Sequence, residues 1–305
     1  MRYVVTGAAG FIGSQLAEKL LEGGHEIVAV DCFTDYYDQA LKEENAAGLD
    51  ITRLDLAEEN LDLAGVDGVF HLAGQPGVRS FGDVFEQYVR RNLLASRRVF
   101  EAVAAAGTRI VFASSSSIYG DAERYPTPEE AEPRPISPYG ITKLGCEHLA
   151  YAYAQGFGLD AVVLRYFTFY GPRQRPDMAL ARIVDALARG SSFELYGDGL
   201  QSRSFTYVAD GIEATIAAME RAPAGAVYNV GGGEEATMRE AIGILERVSG
   251  RTLDLVGHRA AAGDVRRTSA DATRIERELG WRATTSLTDG LQAQWEWASA
   301  RVAAP

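Results

Sequence analysis

The stretch VVTGAAGFIGS, residues 4–14, constrains the fold more than any other part of the sequence. It joins a β-rich run, RYVVTG (2–7), to a segment with helical spacing, SQLAEKLLEGG (14–24), that stops on glycines. Gly7, Gly10 and Gly13 fall at the junction with GxxGxxG spacing. Glycines there permit a tight turn and close packing of helix on strand, and they open the helix N-terminus to an anion. A second β-rich run, EIVAVD (26–31), ends in Asp31, 18 residues after Gly13. A carboxylate in that place accepts hydrogen bonds from an adenosine ribose and repels a 2′-phosphate, which favours NAD over NADP. The other reading is a structural glycine turn without ligand. Asp55, in RLDLAE at the expected end of a third strand, is either an adenine contact or an ordinary turn aspartate.

The alternation continues through GVDGVFHLAG (65–74), a helix from about Val84 to Ala106, the strand RIVFASS (109–115), a long helix over 138–158 and the strand DAVVLRYF (160–167). Continuous apolar strands separated by helices predict an α/β fold, a doubly wound parallel sheet covered on both faces. The second half is less regular. It holds an Arg/Pro-rich loop (171–177), a hairpin-like stretch (193–208), helices near 208–221 and 237–249, and a C-terminal segment with Trp295 and Trp297, expected to pack. The expected division is a Rossmann-type domain over 1–165 with a return segment near 205–232, and a smaller substrate region over 166–305. At 305 residues, 47% hydrophobic and 24% charged, the chain can bury a substantial core. Its net charge of −12 disfavours nucleic-acid or anionic-membrane partners. No membrane span or leader is expected. Cys32 and Cys146 lack metal-ligand spacing, as do the four histidines, and read as reduced residues of a cytoplasmic protein.

Tyr139 and Lys143 are four apart at the start of the long helix and share a face. An ammonium beside a phenol favours the phenolate, which can take a proton from a hydroxyl. The four serines of SSSSIYG (114–120) close the preceding strand.

Together, the glycine turn, the strand serines and YxxxK resemble the extended short-chain dehydrogenases/reductases, the NAD-dependent sugar-nucleotide epimerases and dehydratases. HLAG (71–74), Asn92 in RRNLLAS, RYFTFYGP (165–172) and FTYVADG (205–211) extend the resemblance over nearly the whole chain. It implies that Tyr139 is the base, that Lys143 holds the nicotinamide ribose and that Ser115 bridges sugar and tyrosine. It further implies that Phe11, Ile12, Leu72, Ala73 and Gly74 line the NAD site and that Asp55 and Leu56 meet adenine. Members of the family usually dimerise, so a homodimer is expected.

Three reactions compete after a 4-keto sugar forms: epimerisation, dehydration and decarboxylation. Dehydratases of this family carry Asp–Glu after the bridging hydroxyl, and decarboxylases usually keep a Glu; Ser116 and Ser117 stand there instead. Serine is a poor proton shuttle beside a carboxylate, which favours epimerisation. DCFTDYYDQALKE (31–43), GQPGVRS (74–80) and TFYGPRQRPDMA (168–179) are similar to segments of UDP-glucuronate 4-epimerases. A guanidinium binds a carboxylate bidentately, so Arg175, with Thr168 and Ser117, is expected to grip the uronate carboxylate. Arg79 is expected on that carboxylate or a phosphate. Arg203 is placed on the diphosphate. Arg266 or Arg259 would be its second contact, because Ala261 replaces the arginine common in relatives. The other reading of Arg173 and Arg175 is as solvated loop charges, and Tyr196 either stacks on uracil or packs in the core. The expected substrate is thus UDP-glucuronate, converted to UDP-galacturonate. A UDP-glucose/galactose 4-epimerase, a UDP-glucuronate decarboxylase or an inactive dinucleotide binder are the other readings.

Overall fold

The computed structural model describes residues 1–78, 82–259 and 265–303. In chain order the strands are β1 Arg2–Thr6, β2 Glu26–Asp31, β3 Ile51–Arg53, β4 Gly68–His71, β5 Arg109–Ser115, β6 Asp160–Tyr166, β7 Thr168–Tyr170, β8 Ser192–Tyr196, β9 Ser202–Tyr207, β10 Val227–Val230, β11 Glu235–Thr237, β12 Asp254–His258 and β13 Arg267–Thr268. The helices are α1 Phe11–Glu22, α2 Gln39–Asn45, α3 Phe85–Tyr88, α4 Ala95–Ala106, α5 Pro138–Phe157, α6 Ala179–Arg189, α7 Val208–Arg221, α8 Met238–Ser249, α9 Thr273–Leu279 and α10 Leu287–Ala303. Between α3 and α4 the backbone widens into a π-helical turn over Val89–Leu94, so the expected single helix is interrupted at Asn92.

Seven strands form one parallel sheet in the order β10-β6-β5-β4-β1-β2-β3. Alternation along each strand divides the core between the two faces. Val5, Phe70, Val111 and Val162 pack with Leu16, Leu20, Ala217 and Met219 of α1 and α7. Their neighbours Val4, Val69, Ile110 and Phe112 pack on the opposite face with Val99, Phe100 and Cys146 of α4 and α5. Both faces are therefore dry, as the apolar runs required. A separate cluster joins α6, α8 and α10 with Phe193, Leu195 and Phe205, and Trp295 packs against it.

The stretch 193–208 is not a hairpin. β8 pairs in parallel with β12, while β9 pairs with β7, β11 and β13. Gly197 donates its N–H to the carbonyl of His258 at 3.0 Å, which ties the end of β8 to β12 instead of turning it back on β9. Glycines in YGDG at 196–199 mark a turn in either case, and the sequence carries no register signal for the distant partner.

Strand order reverses between β1 and β4. Chain segments leaving their C-terminal ends diverge there, and such a crevice is where α/β sheets bind ligands.

Candidate active site

One cavity of about 630 Å³ runs from that crevice to the second core cluster. Gly7, Gly10, Phe11, Ile12 and Gly13 line one end, with Asp31, Asp55, Leu56, Leu72, Ala73 and Gly74. Ser115, Ser116, Ser117, Tyr139 and Lys143 stand in the middle, and Thr168, Arg175, Tyr196 and Arg203 line the far part.

The glycine turn has steric reasons. Gly7 adopts φ +72°, and a Cβ on Gly13 would lie 2.1 Å from the carbonyl oxygen of Gly7. No side chain caps α1 at Gly10 and no acidic residue occupies its first turn. A helix N-terminus is thus left open toward the cavity, with the dipole sign that suits a pyrophosphate. Asp31 ends β2 with its carboxylate accepting the N–H groups of Ala9 and Phe33 at 3.1 and 2.8 Å. Asp55 pairs with Arg90 and accepts the N–H of Ala57 at 3.0 Å, so its carboxylate also anchors a turn.

His71 is fully buried. Its ring nitrogens meet Thr6 Oγ1 at 2.8 Å and Ser96 Oγ at 3.1 Å, and Thr6 Oγ1 in turn accepts the N–H of Ala73 at 3.2 Å. Burial, then the Lys143 charge, lowers its pKa to about 3, so it holds this chain as the neutral imidazole. Asn92, at the π-helical turn, accepts from the Gln75 N–H at 2.7 Å and donates to the Gln75 carbonyl and Thr142 Oγ1 at 3.2 and 2.9 Å. Both residues fix the cavity wall from behind.

Ser137 caps α5 by accepting the Gly140 N–H at 3.1 Å, and Pro138 occupies the first turn, where its missing N–H costs nothing. Tyr139 follows, half-buried, with its ring centroid 6.5 Å from that of Tyr88. The Lys143 ammonium is buried, donates to the Ala113 carbonyl at 2.8 Å and lies 4.9 Å from the Phe112 ring centroid.

The four serines divide their tasks. Ser114, also a cavity residue, donates to Glu147, whose carboxylate takes a buried two-point grip from Arg165. Arg165 donates further to the Tyr119 hydroxyl at 2.7 Å and the Glu129 carbonyl at 2.8 Å. The loop at 129–135 is thereby pinned at Glu129, whose carboxylate accepts the Asn229 N–H at 2.9 Å. Ser115 Oγ donates to Ser117 Oγ at 3.1 Å and accepts the Ser117 N–H at 3.1 Å, on the cavity side.

The arginines separate as well. Arg173 turns to α1 and pairs with Glu18 at 2.8 Å. Arg175 faces the cavity and makes two bonds to Asp177, at 3.0 and 3.1 Å. Arg203 lines the cavity and donates to the Ser202 carbonyl at 2.8 Å. Arg266 forms a two-point pair with Asp198 at 3.0 Å on the surface, outside the cavity wall formed by Val265 and Thr268. Arg79 and Ala261 lie outside the described residues. Tyr196 is a cavity residue and not core; one face of its ring stacks on His258 at 5.2 Å. Tyr36 and Tyr37 of the YYD fragment also line the cavity, and Tyr36 donates to Asp177 at 3.2 Å. Sequence reasoning missed the place of these two tyrosines and of Asp177 in the site; the signal present was the acid two residues after Arg175. Among the described residues no cluster of metal-binding side chains occurs, and no helix is long and apolar enough to cross a membrane.

A doubly wound parallel sheet with one cleft that holds both an open helix N-terminus and a Ser–Tyr–Lys set is the architecture of a nicotinamide-dependent enzyme. Over residues 3–231 the sequence matches the NAD dependent epimerase/dehydratase family, and the chain belongs to that family. It is 40% identical over 303 residues to an uncharacterized UDP-glucose epimerase, YtcB, of Bacillus subtilis, covering 95% of this chain and 96% of that one. It is 34% identical to a UDP-glucuronate 4-epimerase of Thermodesulfobacterium geofontis, covering 98% and 97%. The crystal structure of UDP-glucuronic acid 4-epimerase from Bacillus cereus, in complex with UDP-glucuronic acid and NAD, is similar with a TM-score of 0.95 and 37% identity, over 99% of this chain and all of that one.

Proposed function

We propose that this enzyme is an NAD-dependent 4-epimerase of UDP-sugars that interconverts UDP-glucuronate and UDP-galacturonate. The observation that carries this reading is the cavity itself, which places Arg175 in the same space as Ser115, Tyr139 and Lys143 and offers serines at 116 and 117. The relatives named for that reaction support it. The uncapped N-terminus of α1 suits the NAD pyrophosphate, Asp31 the adenosine ribose and Lys143 the nicotinamide ribose. When bound, NAD supplies reversible hydride transfer at C4 of the sugar.

Tyr139 takes the proton of the 4-hydroxyl, directly or through Ser115, and returns it when the ketone is reduced from its other face. Lys143 uses one N–H on Ala113 and has two more donors for the cavity it lines together with Tyr139. Ser115 orients the hydroxyl, and Ser117 orients Ser115. Arg203 and Tyr196 hold the diphosphate and base. Arg175, with Thr168 and Ser117, holds the carboxylate. A 4-keto uronate is a β-keto acid and loses carbon dioxide when its carboxylate bond aligns with the carbonyl π system. Several donors on the carboxylate restrict that rotation.

The dinucleotide part of the chain is 1–165 with the return near 205–232, and 166–305 carries most of the sugar-nucleotide site. Exposed Leu94 and Ile141, Tyr151 and Phe157 of α5 support a homodimer through the helices on that face. The free thiols Cys32 and Cys146 support a cytoplasmic setting. Incubation with UDP-glucuronate, UDP-glucose and UDP-galacturonate, with products resolved by chromatography, tests the reaction. Arg175→Ala should lose uronate binding or release decarboxylated sugar; unchanged turnover and product would sink the assignment of Arg175.

A further inference from the structure

We propose that Asp177 is a resident stand-in for the substrate carboxylate, and that its competition for Arg175 sets how strongly the site prefers a uronate over a neutral hexose. The inference rests on the uronate reading above. Nε and Nη2 of Arg175 reach Oδ1 and Oδ2 of Asp177 at 3.0 and 3.1 Å, the same forked geometry a substrate carboxylate would use. Both residues line the cavity that Tyr139 lines, and their side chains are only 25% and 34% exposed. With an empty pocket or a neutral sugar, the guanidinium is therefore already compensated. With a uronate, two carboxylates meet one guanidinium, and one must give way.

Asp177 has somewhere to go. Tyr36, from the loop after β2, donates to Oδ2 at 3.2 Å. That hydroxyl is well seated, because a Cβ on Gly77 would come within 2.7 Å of it, and the Gly77 carbonyl is itself held by the Tyr88 hydroxyl at 2.6 Å. Asp177 thus keeps one donor when Arg175 turns to the substrate. Against the upward push of burial, the Arg175 guanidinium holds the Asp177 carboxyl below its ordinary range, so the competitor is charged at neutral pH.

The test is calorimetric titration of the NAD-loaded protein with UDP-glucuronate and with UDP-glucose, in a Tyr139→Phe background that prevents turnover. Asp177→Asn keeps the shape and removes the charge. It should raise the ratio of the UDP-glucose to the UDP-glucuronate dissociation constant about tenfold, a fraction of the repulsion between two carboxylates sharing one guanidinium at this partial exposure. Tyr36→Phe removes the fallback donor and should move the ratio the opposite way. NAD content and melting temperature of each variant establish that it is folded. A ratio within twofold of the parent in Asp177→Asn, or one that falls, would overturn the proposal and make Asp177 an orienting residue for Arg175. If the wild-type enzyme, with Tyr139 intact, neither binds nor converts UDP-glucuronate, the uronate reading itself fails. If it converts UDP-glucuronate while the ratio stays put, only the role of Asp177 is lost.

Discussion

Replacing Glu147 with Gln removes one charge from the buried pair beside β5. Glu147 and Arg165 are each 9% exposed, with contacts at 2.8, 3.1 and 3.2 Å, and Arg165 is fixed further by Tyr119 and the Glu129 carbonyl. A guanidinium held so firmly cannot swing out to water. Stripping a buried ion of its partner costs roughly 3–5 kcal/mol. Unfolding entropy of about 2.1 cal/mol/K per residue gives roughly 0.64 kcal/mol/K for a chain of this length, so the midpoint should fall by about 5–8 °C. Differential scanning calorimetry of the NAD-loaded protein reads this directly. Because Ser114 and Ser115 are adjacent on β5, and Glu147 lies one helical turn from Lys143, kcat should fall as well while KM holds. The double variant Glu147→Leu, Arg165→Met removes both charges and should melt closer to wild type than either single variant. A shift below about 1 °C for Glu147→Gln, or a double variant as unstable as the two singles combined, would refute the reasoning.

Tyr139→Phe should keep bound NAD and lose about 10²–10⁴-fold in kcat, followed by product analysis at saturating substrate; wild-type turnover would remove Tyr139 from the chemistry. Gly13→Ala forces a methyl into the Gly7 carbonyl, so the purified variant should carry little NAD by its absorbance ratio; full occupancy would contradict the close approach of α1 to β1. His71 binds its proton far more weakly folded than unfolded. Its stabilising effect is complete above the unfolded pKa and is lost as pH falls through the window from about 6.5 to 3. In urea titrations His71→Gln should flatten that part of the pH profile by up to about 1.4 kcal/mol per pH unit, and an unchanged slope would refute the neutral, buried role.

The first half was legible because its signals are local. Glycines 7, 10 and 13 declare a turn by sterics, and strands buried on both faces declare themselves by continuous apolar stretches, such as Ile110–Ala113 within Arg109–Ser115. Tyr139 and Lys143 needed only helical spacing. Arg175 was expected on a substrate carboxylate; the carboxylate beside it in the structure is that of Asp177, which the sequence reading did not foresee. Asp177 acts through a side-chain pair, and Tyr36 joins it across 141 residues, a distance that no local pattern encodes. The interruption at Asn92 was hidden for the same reason, since its amide answers to Gln75 and Thr142. The stretch 193–208 misled because turn glycines announce a reversal without saying which strand receives the chain.

The last strand of the main sheet, β10, arrives only after the chain has built β7, β8 and β9 elsewhere. It covers the flank of β6 along Val163–Tyr166, with Val227–Val230 as its partner residues. A fragment ending at 166 would thus expose a long, apolar, unpaired edge, a template for association with other chains. Attempts to express the dinucleotide half alone should yield aggregates. A fragment carrying the 227–230 segment, spliced through a short linker after β6, would hide that edge and is the form worth making.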